Sequence, residues 1–107
     1  MLELRYAVRA NEDFRGIFRY GVEQWGGAAA LAYLASFDTT LDLIARHPRI
    51  GRERRSLGPS LRSITHRSHV LIYRVRRDHV LIVRVLHGAM DIRAQFTGKM
   101  PRSSSLR

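Results

Sequence analysis

The sequence contains no cysteine, only one lysine and no long uninterrupted apolar run. Without cysteine there is no disulfide framework, and thiolate-based metal centres and nucleophiles are excluded. Arg, Asp or His interrupts each apolar stretch before it reaches the ~18–20 residues that a membrane span needs. The amino terminus has no basic stretch followed by an apolar one, so we expect no secretory signal and a cytoplasmic protein.

What is present is the composition of an ordinary globular protein, with 107 residues, 45% apolar and 26% charged. This length predicts one domain with one core. We expect the domain to span residues 1–96. Residues 97–107 (TGKMPRSSSLR) are polar and without periodicity, which is typical of a disordered tail.

The formal net charge is +10, and it is unevenly distributed. Residues 1–45 carry four arginines against six carboxylates, a balance of −2, whereas residues 46–107 carry fourteen arginines and Lys99 against three carboxylates, a balance of +12. This asymmetry indicates an anionic partner for the second half, either nucleic acid or an acidic protein segment. Arginine favours planar, bidentate contacts with carboxylate or phosphate.

The first half predicts a strand followed by two helices. Apolar residues alternate over residues 2–8, which is typical of a half-buried strand. Asn11, followed by two carboxylates, predicts the start of a helix that ends at Gly26-Gly27. A second apolar stripe runs from Ala30 to Ile44, and the short connection predicts an antiparallel helical hairpin. The apolar face of the first helix comprises Phe14, Ile17, Phe18, Val22 and Trp25, and we expect Phe14, Phe18, Trp25 and Tyr33 to lie in the core.

The second half predicts a basic loop over residues 48–60 and strands over residues 61–64, 70–76 and 80–87. For the last hairpin we prefer a three-residue loop at Arg77–His79 over a two-residue loop at Arg77-Asp78, because it separates apolar residues from arginines. In that register one face carries Leu71, Tyr73, Val75, Leu81, Val83 and Val85. The opposite, open face carries Arg74, Arg76 and Arg84.

The plan is α+β, with an N-terminal strand and an antiparallel two-helix hairpin packed on a mainly antiparallel sheet, in the order β-α-α-β-β-β. At this point the sequence resembles the ParE branch of the ParE/RelE toxins of bacterial toxin–antitoxin pairs, from about Leu2 to Phe96. The resemblance is carried by four segments in order: Pro48-Arg49-Ile50-Gly51-Arg52, Leu61-Arg62, His69-Val70-Leu71-Ile72-Tyr73-Arg74-Val75 and Arg84-Val85-Leu86-His87-Gly88-Ala89-Met90-Asp91.

The resemblance implies one of two activities. ParE-like members poison DNA gyrase without cutting nucleic acid, whereas RelE-like members are ribosome-dependent mRNA endoribonucleases. The nuclease pattern places an Arg where this sequence has Val70, and a late Tyr where residues 88–96 contain none. His87 lies where some nucleases carry a His. We therefore expect a gyrase poison that is not an enzyme, with the RelE-type nuclease as the alternative.

The resemblance also implies where partners bind. We expect the sheet arginines Arg62, Arg74, Arg76 and Arg84, with His87, Met90 and Asp91, to contact an antitoxin or the target. The basic loop offers Arg49, Arg52, Arg54 and Arg55 to phosphates, although a solvated loop with Glu53 paired locally explains it equally well.

We expect no metal and no cofactor, because residues i and i+3 of one strand point to opposite faces and His66 and His69 would then not share an ion. The expected partners are a ParD-like antitoxin, in a toxin–antitoxin hetero-oligomer, and DNA gyrase, with no membrane and with DNA contacted mainly through the antitoxin. A second alternative is a small basic nucleic-acid-binding domain, which predicts direct binding with a steep salt dependence.

Overall fold

The computed structural model describes residues 1–89 and 92–97. Two long helices follow a short first strand, and the remaining strands come after them. In chain order the elements are β1 (Glu3–Tyr6), α1 (Val8–Trp25), α2 (Gly27–Arg46), a 3₁₀ turn (Pro48–Ile50), β2 (Arg52–Glu53), β3 (Leu61–His66), β4 (His69–Val75), β5 (His79–His87) and α3 (Ile92–Thr97).

The strands form one five-stranded sheet in the order β1-β5-β4-β3-β2. β1 runs parallel to β5, and all other neighbours are antiparallel. This confirms the predicted α+β fold with a helical hairpin on a mainly antiparallel sheet. The short strand β2 and the short helix α3 were not predicted. The predicted tail falls almost entirely outside the described residues.

α1 begins earlier than the sequence predicts. Its cap residue is Ala7, which makes no side-chain cap, and Asn11 lies one turn inside the helix. The cause is a tertiary contact: the Ala7 amide donates to the Ile82 carbonyl at 2.9 Å, and the Asn11 amide donates to the Ala7 carbonyl. The chain therefore turns into the helix directly where β1 leaves β5.

The helical hairpin closes at Gly26, whose φ of 93° is favourable only for glycine. Close packing of the two helices is visible at Gly21, where an added Cβ would lie 3.0 Å from the Ala30 Cβ. By length and composition alone, α2 is apolar enough to cross a membrane, contrary to the expectation from the sequence. In the structure its apolar stripe, which includes Phe37 and Ile44, is buried against the rest of the fold, as in the core helix of a globular domain.

Both faces of the sheet carry an apolar cluster. The inner cluster lies between the sheet and the two long helices, and its buried members are Ala10, Phe37, Leu41, Ile44, Leu71, Tyr73, Val80, Ile82 and Val85. The outer cluster consists of Leu57, Leu61, Val70, Ile72 and Leu86, with Val83, Ile92 and Phe96 packed against it. Part of the β2–β3 loop and α3 therefore cover the second face.

The predicted register of the last hairpin is wrong near its turn. The Arg76 amide donates to the His79 carbonyl and Arg74 pairs with Leu81, so the turn is the two-residue one at Arg77-Asp78. A β-bulge then inserts one extra residue into β5 and restores the predicted pairing of Ile72 with Arg84. Because the sheet is apolar on both faces, Val80 and Ile82 take the buried positions that were predicted for Leu81 and Val83.

Candidate functional site

An open groove of about 900 Å³ lies between α1, the β3–β4 turn, the end of β5 and α3. We call it the α1–β5 groove. Most of its lining is apolar, and it carries the histidines and the exposed aromatic rings that the sequence places far apart. The residues that matter below are Gly16, Ile17, Tyr20, Trp25, Arg67 and Val85, together with the pair His69 and His87.

His69 is the most perturbed titratable group of the groove. Burial, followed by the neighbouring His87 and His66, lowers the pKa of His69 to about 4. Its Nδ1 lies 2.6 Å from the Tyr33 hydroxyl, and its ring lies 5.4 Å from that of His87. His69 is therefore neutral at pH 7 and is a weak base, while His87 stays exposed at the rim.

His66 and His69 do not lie on opposite faces as predicted. A turn at Arg67 and Ser68 separates β3 from β4, so the two histidines are directly paired across the hairpin. The two ring nitrogens of His66 each lie 2.8 Å from a hydroxyl of α2, those of Ser36 and Thr40. These contacts attach the hairpin to α2. Within residues 1–89 and 92–97, no group of three or more His, Cys, Asp or Glu side chains forms a metal site.

Arg84 is not on an open face. It is 7% exposed and donates from Nε and Nη2 to both oxygens of Asp13, at 2.8 and 3.0 Å. Nη1 donates to the Gln95 carbonyl of α3, and Asp13 also accepts from the Val85 amide at 2.8 Å. The contact with Asp13 raises the pKa of Arg84. The predicted exposure of Arg84 is therefore wrong, because the fold uses it to join β5, α1 and α3.

Arg62 also has partners within the chain. Its Nη1 donates to the carbonyls of Gly51 and Arg49, at 2.8 and 3.2 Å, and its Nη2 lies 3.5 Å from Glu53. The Tyr73 hydroxyl holds the same segment, accepting from the Gly51 amide and donating to the Pro48 carbonyl. Sequence analysis missed this role of Tyr73, which accounts structurally for the first of the four family segments.

The other predicted site residues are more accessible. Arg74 pairs with Leu61 and so lies on the outer face, whereas Arg62 pairs with Tyr73 on the inner one. The arginines of the sheet therefore form no single surface. Arg54 donates to the Ser63 hydroxyl, and Arg55 lies 3.5 Å from Glu53, which confirms the local pairing of that carboxylate. The exposed members are Arg49, Arg52, Arg55 and Arg76; Met90 and Asp91 lie outside the described residues.

Comparison with known proteins identifies the family. The family model described as "ParE toxin of type II toxin-antitoxin system, parDE" matches residues 4–92. Toxin ParE1 of Caulobacter vibrioides is 36% identical over 94 residues, which cover 88% of this chain and 97% of that protein. Toxin ParE1 of Mycobacterium tuberculosis is 38% identical over 71 residues, covering 65% of this chain and 72% of that protein.

Solved structures show the same fold. The structure titled "Chromosomal ParDE TA system from P. aeruginosa" has a TM-score of 0.71 at 21% identity, covering 81% of this chain and 96% of its own. The "YoeB-YefM complex from Staphylococcus aureus" has a TM-score of 0.55 at 17% identity, with coverages of 81% and 97%. From the family match and the C. vibrioides relative, this chain belongs to the ParE toxins of type II toxin–antitoxin systems.

Proposed function

We propose that this toxin acts in the cytoplasm by binding DNA gyrase and trapping it on cleaved DNA, without cutting nucleic acid itself. We further propose that a ParD-like antitoxin neutralises it in a hetero-oligomer and provides most of the contact with DNA. Membership of the ParE family supports both parts.

The observation that carries the non-enzymatic part is the surroundings of Val70. This position, where the RelE-like pattern has a catalytic Arg, is 8% exposed and lies in the outer cluster with Leu61 and Leu86. Ile92 and Phe96 of α3 pack against the same cluster. A cation placed there would lose its hydration without gaining a partner, which costs several kcal/mol. The site is therefore suited to packing and unsuited to stabilising charge on a phosphate.

The exposed arginines support contact with an anionic target. Arg49, Arg52 and Arg55 lie around β2, and Arg76 lies beyond the end of β4. Guanidinium groups at such positions bind phosphates or carboxylates bidentately. The half of the chain that carries them has the +12 balance, and this positive field accelerates association with gyrase-bound DNA.

The antitoxin part is supported by the fold neighbours. Both of the solved structures described above carry titles of toxin–antitoxin systems or complexes, and this chain shares their fold. A toxin with a net charge of +10 favours a partner segment that combines apolar anchors with Asp and Glu.

The alternative is the RelE-type nuclease, and one observation favours it. His87 is exposed beside His69 in the α1–β5 groove, where an acid–base residue has room for a substrate. Against it, His69 is neutral and only weakly basic. Mapping transcript 5′ ends after induction separates the two: new codon-phased cuts that disappear in His87→Ala would establish the nuclease.

The test of the proposal is the supercoiling activity of the gyrase of the same host. We expect inhibition and trapped cleaved DNA with the wild-type toxin. A triple variant, Arg49→Ala with Arg52→Ala and Arg55→Ala, is expected to lose most of this effect. The matched control removes three exposed arginines of the first half, Arg5, Arg9 and Arg19, and is expected to keep it. Undisturbed supercoiling at every wild-type dose would refute gyrase poisoning.

A further inference from the structure

One glycine in α1 is not explained by the packing of the chain itself. Gly16 lies in the middle of the helix on the wall of the α1–β5 groove, and a Cβ added there would meet nothing within 4 Å. Gly21 differs, because its missing side chain makes room for Ala30. Since glycine inside a helix is less stable than alanine, Gly16 destabilises the free toxin without an internal benefit. Its effect is to keep the groove open.

Exposed aromatic rings continue the same wall. Tyr20 lies one helical turn beyond Gly16 and is 59% exposed, and Trp25 at the end of α1 is 56% exposed. Their ring centroids are 6.3 Å apart, edge to face. Ile17 and Val85 provide apolar lining beside them. Exposed aromatic rings along an apolar groove are typical of a protein interface.

The charges around the groove favour an acidic occupant. At one end, Asp13 is neutralised by Arg84, and Glu12 lies 3.8 Å from Arg9. At the other end, the exposed guanidinium of Arg67 lies 5.7 Å from the centroid of the Tyr33 ring. The complementary segment carries a carboxylate opposite Arg67 and apolar side chains toward Ile17 and Trp25.

We propose that the α1–β5 groove receives an amphipathic, acidic segment of the antitoxin, which approaches the toxin most closely at Gly16. This inference rests on the proposed neutralisation by an antitoxin and names where it takes place. A nucleic acid strand fits less well, because the lining is mostly apolar and includes Glu12 and Asp13, which repel phosphates.

The experiment fills the groove from the toxin side. The probe is the full-length antitoxin encoded beside the toxin gene, titrated into wild-type toxin, Gly16→Ala and Gly16→Leu by calorimetry. Ala35→Leu is the control, because it adds bulk at an exposed position of α2 that does not line the groove. Fluorescence of Trp25, the only tryptophan of the chain, reports occupancy directly.

We expect Gly16→Leu to weaken antitoxin binding about tenfold or more, Gly16→Ala to weaken it less, and Ala35→Leu to bind as the wild type does. Thermal unfolding is expected to show Gly16→Ala at least as stable as the wild type, which separates a blocked groove from a damaged fold. Trp25 emission is expected to change when the antitoxin binds.

The contrary outcomes are distinguishable. If the wild type and both Gly16 variants bind the antitoxin equally with unchanged Trp25 emission, the location is wrong and neutralisation stands. If the antitoxin does not bind the wild type at all, the proposed neutralisation fails and this inference with it. If a single-stranded oligonucleotide changes Trp25 emission and the antitoxin does not, the groove is a nucleic-acid site and the inference is refuted.

Discussion

The two faces of the sheet are both apolar, but the chain closes them in different ways. The inner face is covered by two long helices and fixed by the Arg84–Asp13 pair and the Tyr73 hydroxyl. The outer face is covered only by Leu57 of the β2–β3 loop and by the six-residue α3. The inner face is therefore the scaffold, whereas the outer face is an apolar surface under a thin cover.

This difference also divides the arginines of the basic half. Arg84 and Arg62 are bound to carboxylates and carbonyls and belong to the structure. Arg52 and Arg76 are exposed and remain accessible to a partner. Net charge alone does not distinguish the two groups, although one acts on stability and the other on binding.

Breaking the Arg84–Asp13 pair gives the largest expected effect on the scaffold. Arg84→Ala leaves the Asp13 carboxylate buried with only the Val85 amide, and we expect a loss of about 3–5 kcal/mol in the free energy of unfolding. Urea denaturation measures it. The double variant with Asp13→Ala is expected to lose less than the sum of the two single variants. A single variant within about 0.5 kcal/mol of the wild type would show that the pair is no anchor.

Two neighbouring residues of β4 compare the faces directly. Leu71 and Ile72 are both fully buried, the first in the inner cluster and the second in the outer one. We expect Leu71→Ala to cost about 4 kcal/mol and Ile72→Ala about 2–3 kcal/mol, because α3 and the loop can settle into the space left on the outer face. Chemical denaturation of both variants measures the difference. An outer-face cost equal to the inner one would contradict the thin cover.

The histidines that fasten the β3–β4 hairpin to α2 make stability depend on pH. The pKa of His69 is about 4 in the fold and about 6.5 when unfolded, so its neutral form favours folding. Its contribution is complete above pH 6.5 and is lost as the pH falls toward 4. We expect a loss of about 1–2 kcal/mol, reduced by the half-exposed position of the ring.

Unfolding curves at pH 7 and pH 4.5 measure this loss, and His69→Gln is the matched variant. It is expected to flatten most of the dependence, with a smaller part remaining because burial also lowers the pKa of His66. The groups near His69 are Tyr33, His66 and His87. An equal pH dependence in the wild type and in His69→Gln would assign the effect to another group.

The smallest effect on stability is expected at the exposed arginines. Arg76→Ala removes a solvated side chain and is expected to change the free energy of unfolding by less than about 0.5 kcal/mol. The same variant is expected to weaken gyrase inhibition, because Arg76 is accessible to an anionic target. Parallel thermal unfolding and supercoiling assays check both. Full inhibition by Arg76→Ala would remove this residue from the target surface.

The sequence predicted the order of the elements because both helices and the strands β4 and β5 have strong periodicity. It did not predict the start of α1, which depends on the hydrogen bond between Ala7 and Ile82. The register of the last hairpin also failed. The argument assumed one buried face, and burial on both faces makes alternation a poor guide to pairing.

The site was less predictable than the fold. The Arg84–Asp13 contact joins residues 71 positions apart, and neither residue alone signals it. The turn between His66 and His69 reversed their expected orientation, and Trp25 was predicted in the core although it lines an open groove. One signal was available in the sequence: Gly16 interrupts an otherwise regular amphipathic helix, and a helix-disfavouring residue there requires a reason.

The central claim, that this toxin harms by binding, is tested most directly by titrating a fixed amount of gyrase with toxin and measuring the trapped cleaved DNA. The account predicts that the trapped DNA rises with the molar ratio of toxin to gyrase and saturates, and that no RNA or DNA is cut without gyrase. Inactivation of a large excess of gyrase by a trace of toxin, or transcript cleavage on ribosomes that requires His87, would contradict it.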